Sequence, residues 1–183
     1  MTQSYTFTFK VDPKVFRRAL YFNTFCKQRM QIFLVAAMWI LGIGMLFANL
    51  VLKVEMTNVM QLCYVVLLIT LPLLVFSCEH GYRQYRDSEM AGKTRIVSIS
   101  PDWIKFRVGG SPESEKVEWR QMACVYELDD IFILYRDTNL MVVIPKSGMT
   151  PSQESEVRKI MVLKLGRAFR VRGAKLRAAG IKC

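Results

Sequence analysis

Any chemistry in this chain would have to be done with one imidazole, because His80 is the only histidine in 183 residues. Neither a His-pair metal site nor a serine triad can be assembled around it. It stands beside Glu79 just past a long apolar run, where it reads as an interfacial polar group rather than a base. The five cysteines, Cys26, Cys63, Cys78, Cys124 and Cys183, are scattered without the paired spacing of a zinc or redox motif. They read as free thiols facing a reducing compartment or a span, and Cys124 as a strand residue of the core. Gly109-Gly110 is not followed by Lys-Ser/Thr at P-loop spacing and is expected to be a hairpin turn. Asp129-Asp130 and Asp137 could hold a cation, but turn chemistry accounts for them. No catalytic residue, cofactor, metal or enzymatic activity is expected.

Binding is a different matter. From Val157 onward there are nine basic residues and no acid: Arg158, Lys159, Lys164, Arg167, Arg170, Arg172, Lys175, Arg177 and Lys182. Residues 79–156, by contrast, carry 10 basic and 13 acidic groups, so the net charge of +11 belongs to the N-terminal segment and the tail. Arg167, Arg170, Arg172, Lys175 and Arg177 are the expected contact residues for a membrane or a partner. Anionic lipid attracts each such residue by about 1 kcal/mol near the surface. An acidic protein face would serve as well. Nucleic acid is not expected, since aromatics for stacking are missing apart from Phe169. In a separate stretch, Gly42, Gly44 and Ala48 put small residues on one helix, allowing close helix packing within a hairpin or between protomers of a homo-oligomer.

The elements that must position these groups begin with two uncharged blocks, 32–52 and 59–78. They account for a hydrophobic fraction of 52% and a mean hydropathy of +0.20, high for a soluble chain of this size. At about 1.5 Å per residue each block reaches roughly 30 Å, the thickness of a bilayer's hydrocarbon core. Two membrane spans joined as a tight hairpin are expected; the first starts too far in, and runs too long, for a cleaved signal. Lys10, Lys14, Arg17, Arg18, Lys27 and Arg29 precede the first block against Asp12 alone, and Arg83, Arg86, Lys93 and Arg95 follow the second. The connection has Lys53 offset by Glu55, so both termini are expected on the cytoplasmic side. Pro72 should kink the second span. Two spans without a buried charge cannot enclose a pathway, so transport would need oligomerisation.

Around the blocks the texture changes. Residues 5–11 alternate Tyr5, Phe7, Phe9 and Val11 with polar residues, the period-two pattern of a half-buried strand. Asp12-Pro13 then starts a helix that either lies at the headgroup layer or packs on the soluble part. A helix continuing from the second span is expected to end at Gly92. Six short β-type runs follow, 95–100, 103–108, 116–119, 123–128, 131–135 and 140–144, separated by turn formers that include Asp137-Thr138-Asn139. Thr150-Pro151 opens a last helix with Glu154 in its first turn, and its apolar positions run through Val157, Met161, Leu165 and Phe169. Seven strands and a closing helix suggest an antiparallel barrel or curved sheet of pleckstrin-homology-like layout, with the hairpin inserted after the first strand. The expected fold is thus α+β. It divides into a strand and interfacial helix over 1–31, a transmembrane hairpin over 32–78, a cytosolic β domain over 79–170 and a basic tail over 171–183.

Val117-Glu118-Trp119 with Met122 and Val125, then Ile131–Tyr135, then Val142-Val143-Ile144-Pro145-Lys146 and a Ser/Glu-rich helix start resemble the YcxB-like family of small bacterial membrane proteins. The resemblance implies a strand before two spans, and a β-rich cytosolic domain ending in an I-P-K strand followed by a helix. It covers most of the chain in layout and only the stretch from Val117 to the last helix in motif. It implies no reaction, and the basic tail after Phe169 departs from the pattern. A multi-pass protein of the bacterial inner membrane is expected. Its expected role is that of a non-enzymatic adaptor or regulator whose β domain binds a protein partner, by an exposed strand edge or the basic tail. An immunity protein that neutralises a toxin acting at that membrane fits the same features. A lipid-headgroup enzyme or carrier would need a polar pocket facing the membrane.

Overall fold

The computed structural model describes residues 4–27, 29–53, 57–136 and 140–173. The chain divides into two compact units: Met1–Phe16 with Ser88–Cys183, and Arg17–Asp87.

The first unit is built from two four-stranded sheets. β1 (Tyr5–Phe9), β2 (Arg95–Ile99), β3 (Trp103–Val108) and β4 (Ser114–Glu118) lie in that order, all antiparallel. β1 and β2 are neighbours although the whole helical stretch separates them in sequence, so the helices are an insertion within one sheet. Alternation does what the sequence pattern predicts. Phe7 pairs with Val97 and Val97 with Phe106, while Ile99 pairs with Ile104 and Ile104 with Val117. On the opposite face Thr6 and Ser98 share a hydroxyl hydrogen bond of 2.9 Å. Gly110, at φ +88, makes the turn between β3 and β4 in a backbone region that L side chains rarely enter.

The second sheet runs β7 (Met141–Pro145), β6 (Ile131–Tyr135), β5 (Cys124–Glu127) and β8 (Phe169–Val171). Every residue of β6 is buried, as a continuous apolar run of five requires of a central strand. Each of these large side chains contributes about 1.5–3 kcal/mol by leaving water. Pro145, lacking an N–H, sits on the edge strand β7, where no donor is missed from a central ladder. Between β7 and β8 comes α4 (Pro151–Leu165), which buries Val157 and Met161.

Four expectations need correction. Neither sheet closes into a barrel: Trp119–Gln121 form a 3-10 turn, with Glu118 and Gln121 capping each other, and the chain starts a new sheet after it. Trp119 therefore heads a turn instead of ending a strand, and its indole donates to the Ser100 carbonyl at 2.9 Å. The last helix stops at Leu165, because Gly166 adopts φ +50 and turns the chain. Phe169, expected on that helix, is buried in β8, which pairs parallel with β5, so the sheet is not wholly antiparallel and the boundary at 170/171 falls inside a strand. Finally, the long helix before the β region ends at Asp87; Gly92 closes a short 3-10 turn at φ −91, without a left-handed cap.

Burial of Tyr135 in β6 holds its phenol above the ordinary value of 10, because the charged form is the one that desolvation penalises. The unfolded chain ionises this group first. Its contribution to stability is therefore constant below about pH 10 and is lost as the pH climbs towards the folded value, by about 1.4 kcal/mol per unit. Urea midpoints measured from about pH 8 to pH 11 should fall less steeply for Tyr135→Phe than for the parent. Parallel curves would show that Tyr135 is not the responsible group.

The second unit is helical. α1 (Pro13–Tyr21) passes through a π turn, Phe22–Lys27, into α2 (Arg29–Leu50); α3 (Asn58–Asp87) runs back beside them. Near the far end, the Trp39 indole donates to the Leu68 carbonyl at 3.0 Å and Gly42 lies against Leu67 and Leu68. At the other end, Arg17 Nε and the Tyr21 hydroxyl both donate to Glu79 Oε1, at 2.8 and 2.6 Å. Cys78 Sγ donates to Thr24 Oγ1 at 3.2 Å, and the Arg17 guanidinium lies 5.7 Å from the Tyr21 ring centroid and 5.5 Å from that of Tyr82. One extra residue in the π turn re-phases the helix, so that two differently placed faces meet the same partner. Ile32–Leu50 and Met60–Asp87 are long and apolar enough to cross a membrane, and only 6% of either apolar window is buried.

Candidate functional site

The β unit contains a cluster of charges that the sequence pattern did not reveal. Glu127 closes β5 and is fully buried. Lys146 follows Pro145 at the end of β7, and its side chain is 6% exposed. Glu154 and Arg158 stand one turn apart on α4. Lys146 Nζ donates to Glu127 Oε1 at 2.7 Å and to Glu154 Oε1 at 2.9 Å. Arg158 Nε donates to both oxygens of Glu127, at 3.0 and 2.9 Å, and its Nη2 reaches Glu127 and Glu154 at 2.6 Å each. The Lys146 ammonium also lies 4.7 Å from the centroid of the Phe132 ring.

Two cations thus share two carboxylates, and the set is neutral. That balance is what allows it to exist inside a protein, where an unmatched charge would cost several kcal/mol. The hydrogen bonds that Arg158 donates to Glu127 hold its guanidinium above its ordinary range, so this member stays charged at any working pH. The sequence reading placed Glu154 in the first turn of this helix, where the structure also has it. Gln153 closes the cap, exchanging bonds with Thr150 at 3.3 and 2.9 Å, which leaves Glu154 to the cluster. The available signal was the Thr-x-x-Gln spacing together with a lone Glu ending an apolar strand.

The backbone of Glu127 also meets the base of the basic tail. The Glu127 carbonyl accepts from the Arg172 and Gly173 amides at 2.8 and 3.1 Å. One step back, Arg170 lies opposite Tyr126, its Nη1 donating to the Tyr126 hydroxyl at 3.4 Å and its guanidinium 5.9 Å from the ring centroid. Arg167 is exposed in the turn after α4, and Arg172 is half-buried. Lys164 reaches Asp102 at 3.6 Å, and Leu163 beside it is 80% exposed. Lys175, Arg177 and Lys182 lie outside the described residues, as do Glu55 and the expected turn at 137–139.

Of the small residues singled out in the first long helix, Gly42 is buried against α3: a Cβ there would meet Leu67 Cβ at 3.2 Å. Gly44 has nothing within 4 Å of the place a Cβ would take, and Ala48 is half-buried. The structure therefore brings one of the three to the hairpin contact and leaves Gly44 facing outward. His80 is exposed and stacks on Phe76 with ring centroids 6.2 Å apart. Among the described residues, no three of His, Cys, Asp and Glu come together as metal ligands would.

No curated protein and no solved structure matches this chain. Residues 99–161 do match a family model, that of the YcxB-like protein. The matched stretch runs from the end of β2 into α4 and contains Glu127, Lys146, Glu154 and Arg158. In sequence, then, residues 99–161 of the β unit are YcxB-like.

Proposed function

We propose that this chain is a membrane-anchored, non-enzymatic adaptor whose β unit holds an acidic protein partner at the cytoplasmic face of a bacterial inner membrane. The observation that carries this reading is the bareness of α2 and α3. Phe33, Ile40, Leu41, Leu62 and Phe76 are all exposed on helices that bear no charge over some 20 residues, and only a lipid solvent removes that cost. The pairing of β1 with β2 supports a hairpin. Phe9 and Arg95 are partners, so the insertion leaves and returns at neighbouring points of one sheet, as an even number of crossings requires. The basic residues on either side of the hairpin favour the cytoplasm for that sheet.

Partner recognition is assigned to the strip formed by Arg167, Arg170, Arg172 and the tail beyond, which emerges from an ordered strand and meets no acid in its own sequence. The protein should stay with membranes through an alkaline carbonate wash and be released by detergent. Captured from detergent, it should retrieve a partner in amounts that fall about tenfold when Arg167 and Arg170 are both changed to Glu, the effect expected of reversing two interfacial charges. Release by carbonate would remove the anchor, and retrieval untouched by the double reversal would remove the assigned surface.

A further inference from the structure

The outer face of the first sheet holds three cations that no acid answers among the described residues. Across the four strands Thr6, Ser98, Lys105 and Lys116 stand in one row, and Thr8, Ile96, Arg107 and Ser114 in the next. Residues adjoining them along the strands, Phe7, Val97, Ile104 and Val117, are buried, so both rows face away from the core. Lys105, Arg107 and Lys116 are all exposed, and none of the three is in an ion pair with a described residue. Lys105 and Lys116 are directly opposed, and like charges so placed repel. The Lys116 ammonium lies 5.2 Å from the centroid of the Trp103 ring, in the row beyond. Glu118, opposite Trp103 on this face, is taken by Arg120.

We propose that this face docks on the anionic lipid of the inner leaflet, with phosphate groups lying between Lys105, Lys116 and Arg107. The inference rests on the membrane anchor proposed above and not on the assigned partner surface. An anion seated between the two lysines turns their repulsion into two attractions. The Arg107 guanidinium matches phosphate in geometry as well as in sign, and the hydroxyls of Thr8 and Ser114 in its row add donors. Trp103, half-buried on the same face, has the amphipathic ring that settles at headgroup depth. The chain itself selects lipid over a soluble anion. β1 leaves for the hairpin at Phe9 and β2 returns from it at Arg95, in the row beside Arg107. From Cys78 to Arg95 the chain reaches at most about 40 Å, even with its loop fully extended. The face is therefore confined to the neighbourhood of the leaflet, where each basic residue gains roughly fivefold in binding and the tether supplies the effective concentration. An acidic protein would have to be drawn from solution.

The test uses the full chain in nanodiscs of phosphatidylcholine, with and without phosphatidylglycerol. Lysine acetylation by an uncharged reagent is read peptide by peptide, with Lys159, exposed on α4, as internal standard. Relative to Lys159, Lys105 and Lys116 should react about fivefold more slowly in the anionic discs than in the neutral ones. Arg107→Glu, at an exposed position, should bring that ratio close to one, since reversing one charge cancels a second. Molar salt should do the same for the parent chain, by screening. Equal rates in the two kinds of disc, or protection that survives both Arg107→Glu and salt, would overturn the proposal. So would protection by polyglutamate in neutral discs with none from phosphatidylglycerol, an outcome pointing to an acidic protein. A chain that enters neither disc would remove the anchor, and this proposal with it. Failure of the face alone leaves the anchor and the strip on β8 untouched.

Discussion

Replacing Glu127 with glutamine will cost the β unit about 3–5 kcal/mol, the expected loss when one partner is removed from a buried ionic cluster. The reason is not that the cluster is strongly stabilising as it stands. Its four charges have given up hydration for one another, and the net gain of such an arrangement over apolar side chains is small. Glutamine keeps the shape of Glu127 and removes its charge. Lys146 and Arg158 are then left with Glu154 alone, two cations facing one anion, with the Lys146 ammonium withdrawn almost entirely from water. For a unit of this size the loss corresponds to a drop of about 12 °C or more in melting temperature. The protection of β6 amides against hydrogen exchange would report it directly, because that strand is buried throughout. The amides of Arg172 and Gly173, bonded to the Glu127 carbonyl, should lose protection as well, linking the cluster to the base of the tail. Two comparisons separate this from general damage. Glu156→Gln, which breaks only the exposed pair with Lys159, should change stability by less than about 1 kcal/mol. Replacing Glu127, Lys146 and Arg158 together by Leu, Met and Leu should recover most of the loss. A Glu127→Gln protein within 1 kcal/mol of the parent would mean that water or a shifted Glu154 neutralises the cations, and the cluster would lose its structural role.

The sequence made the elements legible wherever one period ran uninterrupted. β1, β3 and β6 alternate or run apolar over their whole length, and they appear within two residues of their expected bounds. The two apolar helices, and the insertion of the hairpin after the first strand, were readable for the same reason. What escaped detection was decided by partners distant in sequence. Nothing local distinguishes Phe169 on a helix face from Phe169 in a strand, because β8 exists only by pairing with β5, some forty residues earlier. The barrel failed at Trp119, whose strand-forming character is overridden by a capping exchange between Glu118 and Gln121. Lys146 looked like the polar residue that ends a strand; its burial follows from Glu127 and Glu154, which arrive from other elements. Charge pattern alone cannot show that a lysine has left water.

Inserting a helical pair into a sheet has a mechanical consequence. β1 supplies Phe7 and Phe9 to the core of the β unit, and it reaches that core only if the chain has completed the whole hairpin and returned as β2. The long excursion makes this closure costly in chain entropy, so a hairpin that is already formed relieves the sheet of most of that cost. Stability of the helical pair and assembly of the first sheet are coupled through the chain.

The second large effect is expected inside that pair, at Trp39. Proline at position 72 has no N–H to give, so the carbonyl four residues earlier, Leu68, loses its intrahelical donor. In water such a carbonyl would be solvated. In hydrocarbon, the surroundings proposed for α3, it would be left unsatisfied. The Trp39 indole fills the vacancy from the other helix at 3.0 Å, and the small surface of Gly42 next to it lets the helices approach closely enough for that bond. Trp39→Phe keeps an aromatic ring and removes the donor; it should destabilise the hairpin by about 1–2 kcal/mol, the range for an interhelical bond in a membrane. The decisive comparison is with Pro72→Ala. Alanine restores an N–H for Leu68, so in that background Trp39→Phe should cost close to nothing, and the two substitutions together should show a coupling of about 1 kcal/mol. Gly42→Leu should weaken the hairpin by a different route, through collision with Leu67, and Pro72→Ala should not rescue it. Unfolding in mixed detergent micelles measures all five variants on one scale. Equal costs for Trp39→Phe with and without proline would mean that the indole acts by packing, and the orphaned carbonyl would then have found another donor.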